Sequence, residues 1–333
     1  MPGPAPKKVL STLAKSLFTL GIMAWLLHKS DRHAIVQQLR DVSFFDFFMI
    51  ALFVAVNNLG QVLRWQALVR DIAGRVSMFR LLQFHMIAVF FQSFLPSSMS
   101  VEIVKGWLLS RITDAKKAYG SVLFGKFMGL FVLFGFFLLI LLFRPSLVLD
   151  KGFTGKLVWG MSLFLLATVV VFSKKVSRFL FGRFEMLSGN RWFKKAKSFR
   201  EEIYNYRYRP RAMAQAALFS VVIFLGSILS TYFSFEAVHC PVPLFACMVY
   251  MPVIYVLMMM PVSINGIGLR EGLLLLFLKP WNLTSEAILS SSVLVYAVIY
   301  SFVLLGGLIY LLSGIKGVPL GKKEEPAEPG PVP

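Results

Sequence analysis

The sequence predicts an all-α polytopic integral membrane protein, with about six full spans and two re-entrant helical hairpins in an inverted repeat. Of 333 residues, 57% are apolar and 15% charged, a balance that suits a core facing lipid rather than water. Apolar runs of the about 20 residues needed to cross hydrocarbon recur along the chain. Two further apolar regions are too long for one span, and each is interrupted by Pro with small and polar residues. Such a break is tolerated at membrane depth only where protein or a wet cavity satisfies the freed backbone.

In chain order, spans are read at residues 10–27, 44–65, 118–143, 156–172, 212–235 and 286–312. The first has a basic flank, but no small-x-small cleavage pattern follows Leu27, and Lys15 lies inside it; a retained signal anchor is the expectation. The interrupted regions are residues 76–109 and 244–278. The plain alternative for the first is that residues 76–95 span normally and the rest lies at the interface.

Charge placement orients these elements. Lys and Arg outnumber Asp and Glu by 35 to 16, a net charge of +19. In so apolar a chain this points to the positive-inside rule and anionic lipid head groups, not to nucleic acid. Twelve Lys or Arg fall between Lys174 and Arg211, which places connector 173–211 in the cytoplasm. Counting spans from there puts loop 144–155 outside, both termini inside, and the two hairpins entering from opposite sides. The order span, span, hairpin, span then occurs twice with opposite orientation, in a first repeat at 10–143 and a second at 156–312, a transporter architecture. Residues 1–9 and 313–333, rich in Pro, Gly and charge, are expected to be disordered cytoplasmic tails. The expected location is the cell (inner) membrane. Between residues 191 and 209, Trp192, Ala196, Phe199, Ile203 and Tyr206 recur at steps of four and three, opposite Lys194, Lys195, Lys197 and Arg200. That is the pattern of an amphipathic helix lying on the bilayer, either sensing anionic lipid or simply connecting spans.

The richest motif is Pro261-Val-Ser-Ile-Asn-Gly-Ile-Gly-Leu-Arg-Glu271. Pro261, Gly266 and Gly268 break the helix, and Asn265, Arg270 and Glu271 put polar chemistry where charge is functional by default. The other hairpin reads Phe94-Leu-Pro-Ser-Ser-Met-Ser-Val-Glu-Ile-Val-Lys105, with Pro96 as breaker and Glu102 and Lys105 on one helical face. They are either head-group ligands or a structural ion pair. Lys126 lies roughly 12 Å into its span at the helical rise, either facing a site or snorkelling. Asn57, Gln61 and Arg64 form a polar stripe that must face protein or a cavity, although lipid phosphate is the ordinary partner for Arg64 near the inner boundary. His85 reads as a hydrogen-bonded core residue before a proton relay. Cys240 and Cys247 read as unrelated thiols, with no metal-ligand spacing.

On these residues the chain resembles the transmembrane region of lysylphosphatidylglycerol synthases, a flippase-like membrane domain found both fused to an aminoacyl-transfer domain and alone. Residues 261–272 are similar to the family's Pro-x-Ser-x-Gly-Gly-x-Gly-x-Arg-Glu pattern, with Asn265 at the first Gly of the pair. Residues 94–105 are similar to its other signature, where Gly-Gly-Asp and a later Arg are usual and Ser100, Val101, Glu102 and Lys105 stand here. Lys126, between Gly125 and Gly129, falls where the family tends to have Asp-Arg and a following Gly. The resemblance implies translocation of a lipid such as aminoacylated phosphatidylglycerol. It does not imply aminoacyl transfer: only a short tail follows residue 312, and no nucleotide, HExxH or Gly-x-Ser-x-Gly motif occurs. The expectation is a non-enzymatic translocator without cofactor or metal. Arg270, Lys105 and Lys126 would meet phosphate, and Glu271 and Glu102 would meet a cation or neutralise the empty site. Its partners are membrane lipids, with an envelope-lipid or glycan enzyme as an added possibility. The other classes are a carrier of a small polar solute and a non-transporting partner of such an enzyme.

Overall fold

The computed structural model describes residues 17–315, apart from 18, 20, 23, 29, 71–75, 95–98, 144–203, 241, 259–262 and 264. Span 156–172, loop 144–155, tail 1–9, nearly all of tail 313–333, the breakers Pro96 and Pro261, and connector residues 173–203 lie outside the described residues.

Among the described residues four helices are long and apolar enough to cross a membrane: α2 (Phe44–Val69), α5 (Ala115–Phe143), α6 (Pro210–Ala237) and α9 (Ser285–Leu312). The 26 residues of α2 extend about 39 Å at 1.5 Å per residue, enough for a hydrocarbon layer of about 30 Å. The protein is therefore a helical, multi-pass membrane protein. Preceding α2 is α1 (Arg32–Arg40), and described residues between 17 and 28, in the first predicted span, are also helical.

The two interrupted regions are helix–break–helix elements. α3 (Met78–Gln92) is followed by α4 (Ser100–Ser110), and α7 (Leu244–Met258) by α8 (Leu269–Phe277). α3 and α7 have 15 residues each, about 22 Å of helix, too short to span alone. In each case the second arm contacts the first.

Local sequence sets the ends. Ser43, Ser77 and Thr284 cap α2, α3 and α9 by accepting from the N–H groups of Asp46, Arg80 and Ala287. Pro210 starts α6, where its missing N–H is harmless. That proline also corrects one expectation: the proposed amphipathic helix does not run on to 209. Tyr206–Tyr208 is a 3₁₀ turn, and Tyr206 leaves the surface to stack on Phe124 at 4.2 Å while its hydroxyl donates to the Leu68 carbonyl at 3.1 Å.

The two halves interlock. α2 and α6 form the most extensive helix pair, crossing where each presents a glycine. A Cβ on Gly60 would lie 2.9 Å from Ile223 and 3.6 Å from the Phe219 carbonyl; one on Gly226 would lie 2.9 Å from the Phe53 carbonyl and 3.1 Å from the Asn57 nitrogen. Around this crossing most packing contacts have a counterpart among the described residues, that of α1 on α9 being an exception. α3 of the first half packs on α9 of the second, and α7 of the second on α5 of the first; α4 lies on α5 and α8 on α9; α2 touches α9 and α6 touches α5. Corresponding helices start at nearly constant intervals: Met78 and Leu244, Ser100 and Leu269, Ala115 and Ser285.

Candidate functional site

At the break between α7 and α8, Asn265, Gly266 and Gly268 all take positive φ, at 53°, 80° and 78°. Left-handed backbone is free for Gly and tolerable for Asn, whose short side chain makes it the usual non-glycine choice. This accounts for Asn at a position where the family pattern has Gly. Gly268 also lies against the helical residues between 17 and 28, with Ile22 and the Thr19 carbonyl 3.3 Å from where a Cβ would stand.

That turn presents Arg270 and Glu271, 4% and 0% exposed. Glu271 closes the start of α8: its Oε2 accepts from the Gly268 N–H at 2.7 Å and its Oε1 from the Tyr296 hydroxyl at 3.0 Å. Arg270 lies 3.7 Å from Glu271 Oε1 and donates to Ser292 at 2.9 Å and to Thr231 at 3.3 Å. The pair is neutral overall and well bonded, which is what burial of two charges requires.

Arg270 reaches the wall of a partly open cavity of about 270 Å³ lined by α2, α3, α6, α7, α9 and the 265–270 turn. Asn57, Asn58 and Gln61 line it from α2, Gln92 from α3, Ser227, Ser230 and Thr231 from α6, Tyr255 from α7, and Tyr296 and Tyr300 from α9. Asn57 donates to Ser227 Oγ at 2.6 Å and to the Ile223 carbonyl at 2.9 Å, and Gln61 donates to Asn57 Oδ1 at 2.9 Å. The predicted stripe on α2 thus faces a polar cavity and α6.

One turn beyond Gln61, Arg64 leaves the cavity wall for a second cluster. It does not turn out to lipid phosphate: it donates to Ser220 on α6 at 3.2 Å and lies against Gly129, where a Cβ would come within 2.8 Å of its Nη1. Lys126 pairs with Glu102 at 3.0 Å. Lys105, 5% exposed, does not pair with Glu102 along α4; its ammonium lies over the Trp65 ring, 5.5 Å from the centroid. Lys105 is within electrostatic range of Glu102, Arg64 and Lys126. Oε2 of Glu102 is buried and accepts no hydrogen bond among the described residues. Three cations therefore surround one carboxylate.

The residues singled out in the sequence fall into two groups. Asn57, Gln61, Asn265 and Arg270 line the cavity; Arg64, Glu102, Lys105 and Lys126 form the cationic cluster. Glu271 supports Arg270 from behind the wall. His85 is fully buried, its Nε2 bonded to Asn58 at 3.0 Å and its Nδ1 without a hydrogen-bond partner among the described residues, and Cys240 and Cys247 are both free thiols. Sequence reasoning missed Ser227, Thr231, Ser292, Tyr255 and Tyr296. A readable trace existed for some of them: Ser227, Ser230, Thr231 and Ser234 recur at steps of three and four within an apolar span.

No curated protein matches the chain. The family model described as Lysylphosphatidylglycerol synthase TM region matches residues 12–307, taking in both hairpins, the cavity and the cationic cluster. With nine-tenths of its length matched, the chain belongs to the lysylphosphatidylglycerol synthase transmembrane region family.

Proposed function

We propose that the protein moves an anionic phospholipid or a related lipid phosphate between leaflets, without chemical change to it. The observation that carries this reading is the α2 stripe, Asn57, Gln61 and Arg64, which joins a polar cavity to a buried excess of positive charge inside helices built for lipid. An unpaired charge at the bilayer centre costs at least about 3 kcal/mol. Fixed cations reduce that barrier for a phosphate, and Arg64, Lys105 and Lys126 supply them, with Arg270 at the cavity wall. The acyl chains stay in lipid during transfer.

In this reading the two halves are an inverted repeat, and both hairpins are re-entrant. The reciprocal glycine contacts of α2 and α6 and the exchange of packing partners between halves support it. So does the shortness of α3 and α7. The charge of the basic connector supports both termini on the cytoplasmic side of the inner membrane. Two such halves, each with a broken helix, allow access to alternate between leaflets.

The test is leaflet exchange of tail-labelled phosphatidylglycerol in proteoliposomes, wild type beside the double variant Lys105→Gln, Lys126→Gln. Exchange in wild type, reduced at least tenfold in the folded variant, is the expected result. No exchange of any anionic lipid by folded protein overturns translocation and favours solute transport or a partner role.

A further inference from the structure

Lys105 and Glu102 stand three residues apart on one face of α4, a spacing that suits an ion pair, yet Glu102 pairs with Lys126 and Lys105 lies over Trp65. Building on the reading of the cationic cluster as a phosphate site, we propose that Trp65 holds Lys105 off Glu102 in the empty protein and surrenders it to an incoming phosphate.

An ammonium carries three donors and no acceptor, and Lys105 is only 5% exposed. Its contact with the ring, 5.5 Å from the centroid, is within cation–π reach, but a ring face holds a buried ammonium less strongly than a carboxylate does. The carboxylate has room for it: Lys126 takes Oε1 of Glu102 at 3.0 Å, and the buried Oε2 accepts nothing among the described residues. The indole is fixed in place. Its Nε1–H donates to Ser121 Oγ at 3.3 Å, the Ser121 hydroxyl donates to the Ala118 carbonyl at 2.8 Å, and Trp65 is buried. α5 thereby aims the ring that α2 carries beside Arg64. Were Lys105 to share Glu102 with Lys126, an arriving anion would first have to break that bond. On the ring, Lys105 is ordered yet loosely held, and phosphate oxygens offer it the acceptors that the ring lacks. Trp65 is thus a positioning residue for the site, and its ring reports when the ammonium leaves.

The experiment follows Trp65 emission, taken as wild type minus Trp65→Phe, on the purified full chain in neutral maltoside micelles. The probes are short-chain phosphatidylglycerol, inorganic phosphate and short-chain diacylglycerol, which is uncharged. The emission is expected to shift with phosphatidylglycerol, with phosphate or with both, but not with diacylglycerol, nor when both proteins carry Lys105→Gln. A response to phosphatidylglycerol alone makes the lipid the source of the phosphate, and a response to phosphate makes the free anion sufficient. Calorimetric affinities then separate positioning from packing. Trp65→Leu lets Lys105 turn to Glu102 and weakens binding of the responding probe at least tenfold; adding Glu102→Gln restores it to within threefold of Glu102→Gln alone. A packing defect would persist in the double variant. Unchanged affinity in Trp65→Leu, a loss that Glu102→Gln does not restore, or an equal shift with diacylglycerol overturns the proposal. Should Trp65→Leu fail to fold, the emission with and without Lys105→Gln decides. Binding with the emission shift but without leaflet exchange removes translocation and leaves the role of Trp65 standing, whereas no binding of either phosphate removes both.

Discussion

Glu102 and Glu271 occupy the same place in the two hairpins. Each is the third residue of the second arm, and each is held at 3.0 Å by the long helix that follows, Glu102 by Lys126 of α5 and Glu271 by Tyr296 of α9. The carboxylates then part company. Glu271 accepts from the start of its own helix and from Tyr296 and has Arg270 as an ion-pair partner, whereas Glu102 keeps one oxygen without a partner among the described residues. The first arrangement is closed and the second open, so the same carboxylate serves structure in one half and a charged site in the other.

Replacing each glutamate should separate those roles. Glu271→Ala removes the acceptor for Gly268 and Tyr296 and leaves Arg270 as a buried charge without its partner, a change that costs about 3–5 kcal/mol. Glu102→Ala breaks no bond to a helix start and opens a pair whose Lys126 is partly exposed, but leaves Lys105 and Arg64 without their carboxylate, so it should cost less, about 1–3 kcal/mol. Thermal unfolding of both variants in one detergent reads the difference, and equal losses would contradict it.

Arg270 should behave as a residue of both stability and transfer. Arg270→Ala strands Glu271 and frees Ser292 and Thr231, so folding and leaflet exchange fall together. Arg270→Lys keeps the charge but not the forked hydrogen bonds; it should recover much of the stability and less of the exchange. Comparing the melting temperature with the exchange rate of each variant checks this.

Two glycines at helix contacts should respond differently to the same substitution. At Gly129 the new methyl meets the far end of the Arg64 side chain at 2.8 Å, which can swing aside. Gly129→Ala should leave stability nearly unchanged and slow exchange severalfold by displacing the cation. At Gly226 the methyl meets the Phe53 carbonyl at 2.9 Å and the Asn57 nitrogen at 3.1 Å. Backbone cannot yield that way, so Gly226→Ala should destabilise by about 1–3 kcal/mol, visible as a lowered melting temperature.

At residue 265 the backbone itself is the test. With φ at 53°, Asn265→Gly should be close to neutral in stability, while Asn265→Val should lose at least about 1–2 kcal/mol from left-handed strain. Unfolding of the two variants side by side distinguishes this from a purely side-chain role for Asn265.

Much of the architecture was legible in the sequence because it follows from local pattern. Apolar length located α2, α5, α6 and α9, and Pro with Gly located the break before α8. The α2 stripe was legible because three polar side chains at helical spacing cannot all face lipid. Partner choice was not legible: Glu102 and Lys105 share a helical face, yet Glu102 turns to Lys126 and Lys105 to Trp65. Nor was the inward turn of Arg64, since the space it enters depends on Gly129 of a helix far along the chain.

By itself the sequence determined a helical membrane protein, its orienting charge and the two broken segments, because burial in lipid leaves few ways to satisfy a backbone. Only the tertiary structure decided that Arg270 faces a cavity whose described lining has no carboxylate and that the other cations gather around Glu102. Those outcomes rest on which helices cross at Gly60 and Gly226. Short-range periodicity says which face of a helix is polar, and long-range packing says what that face meets.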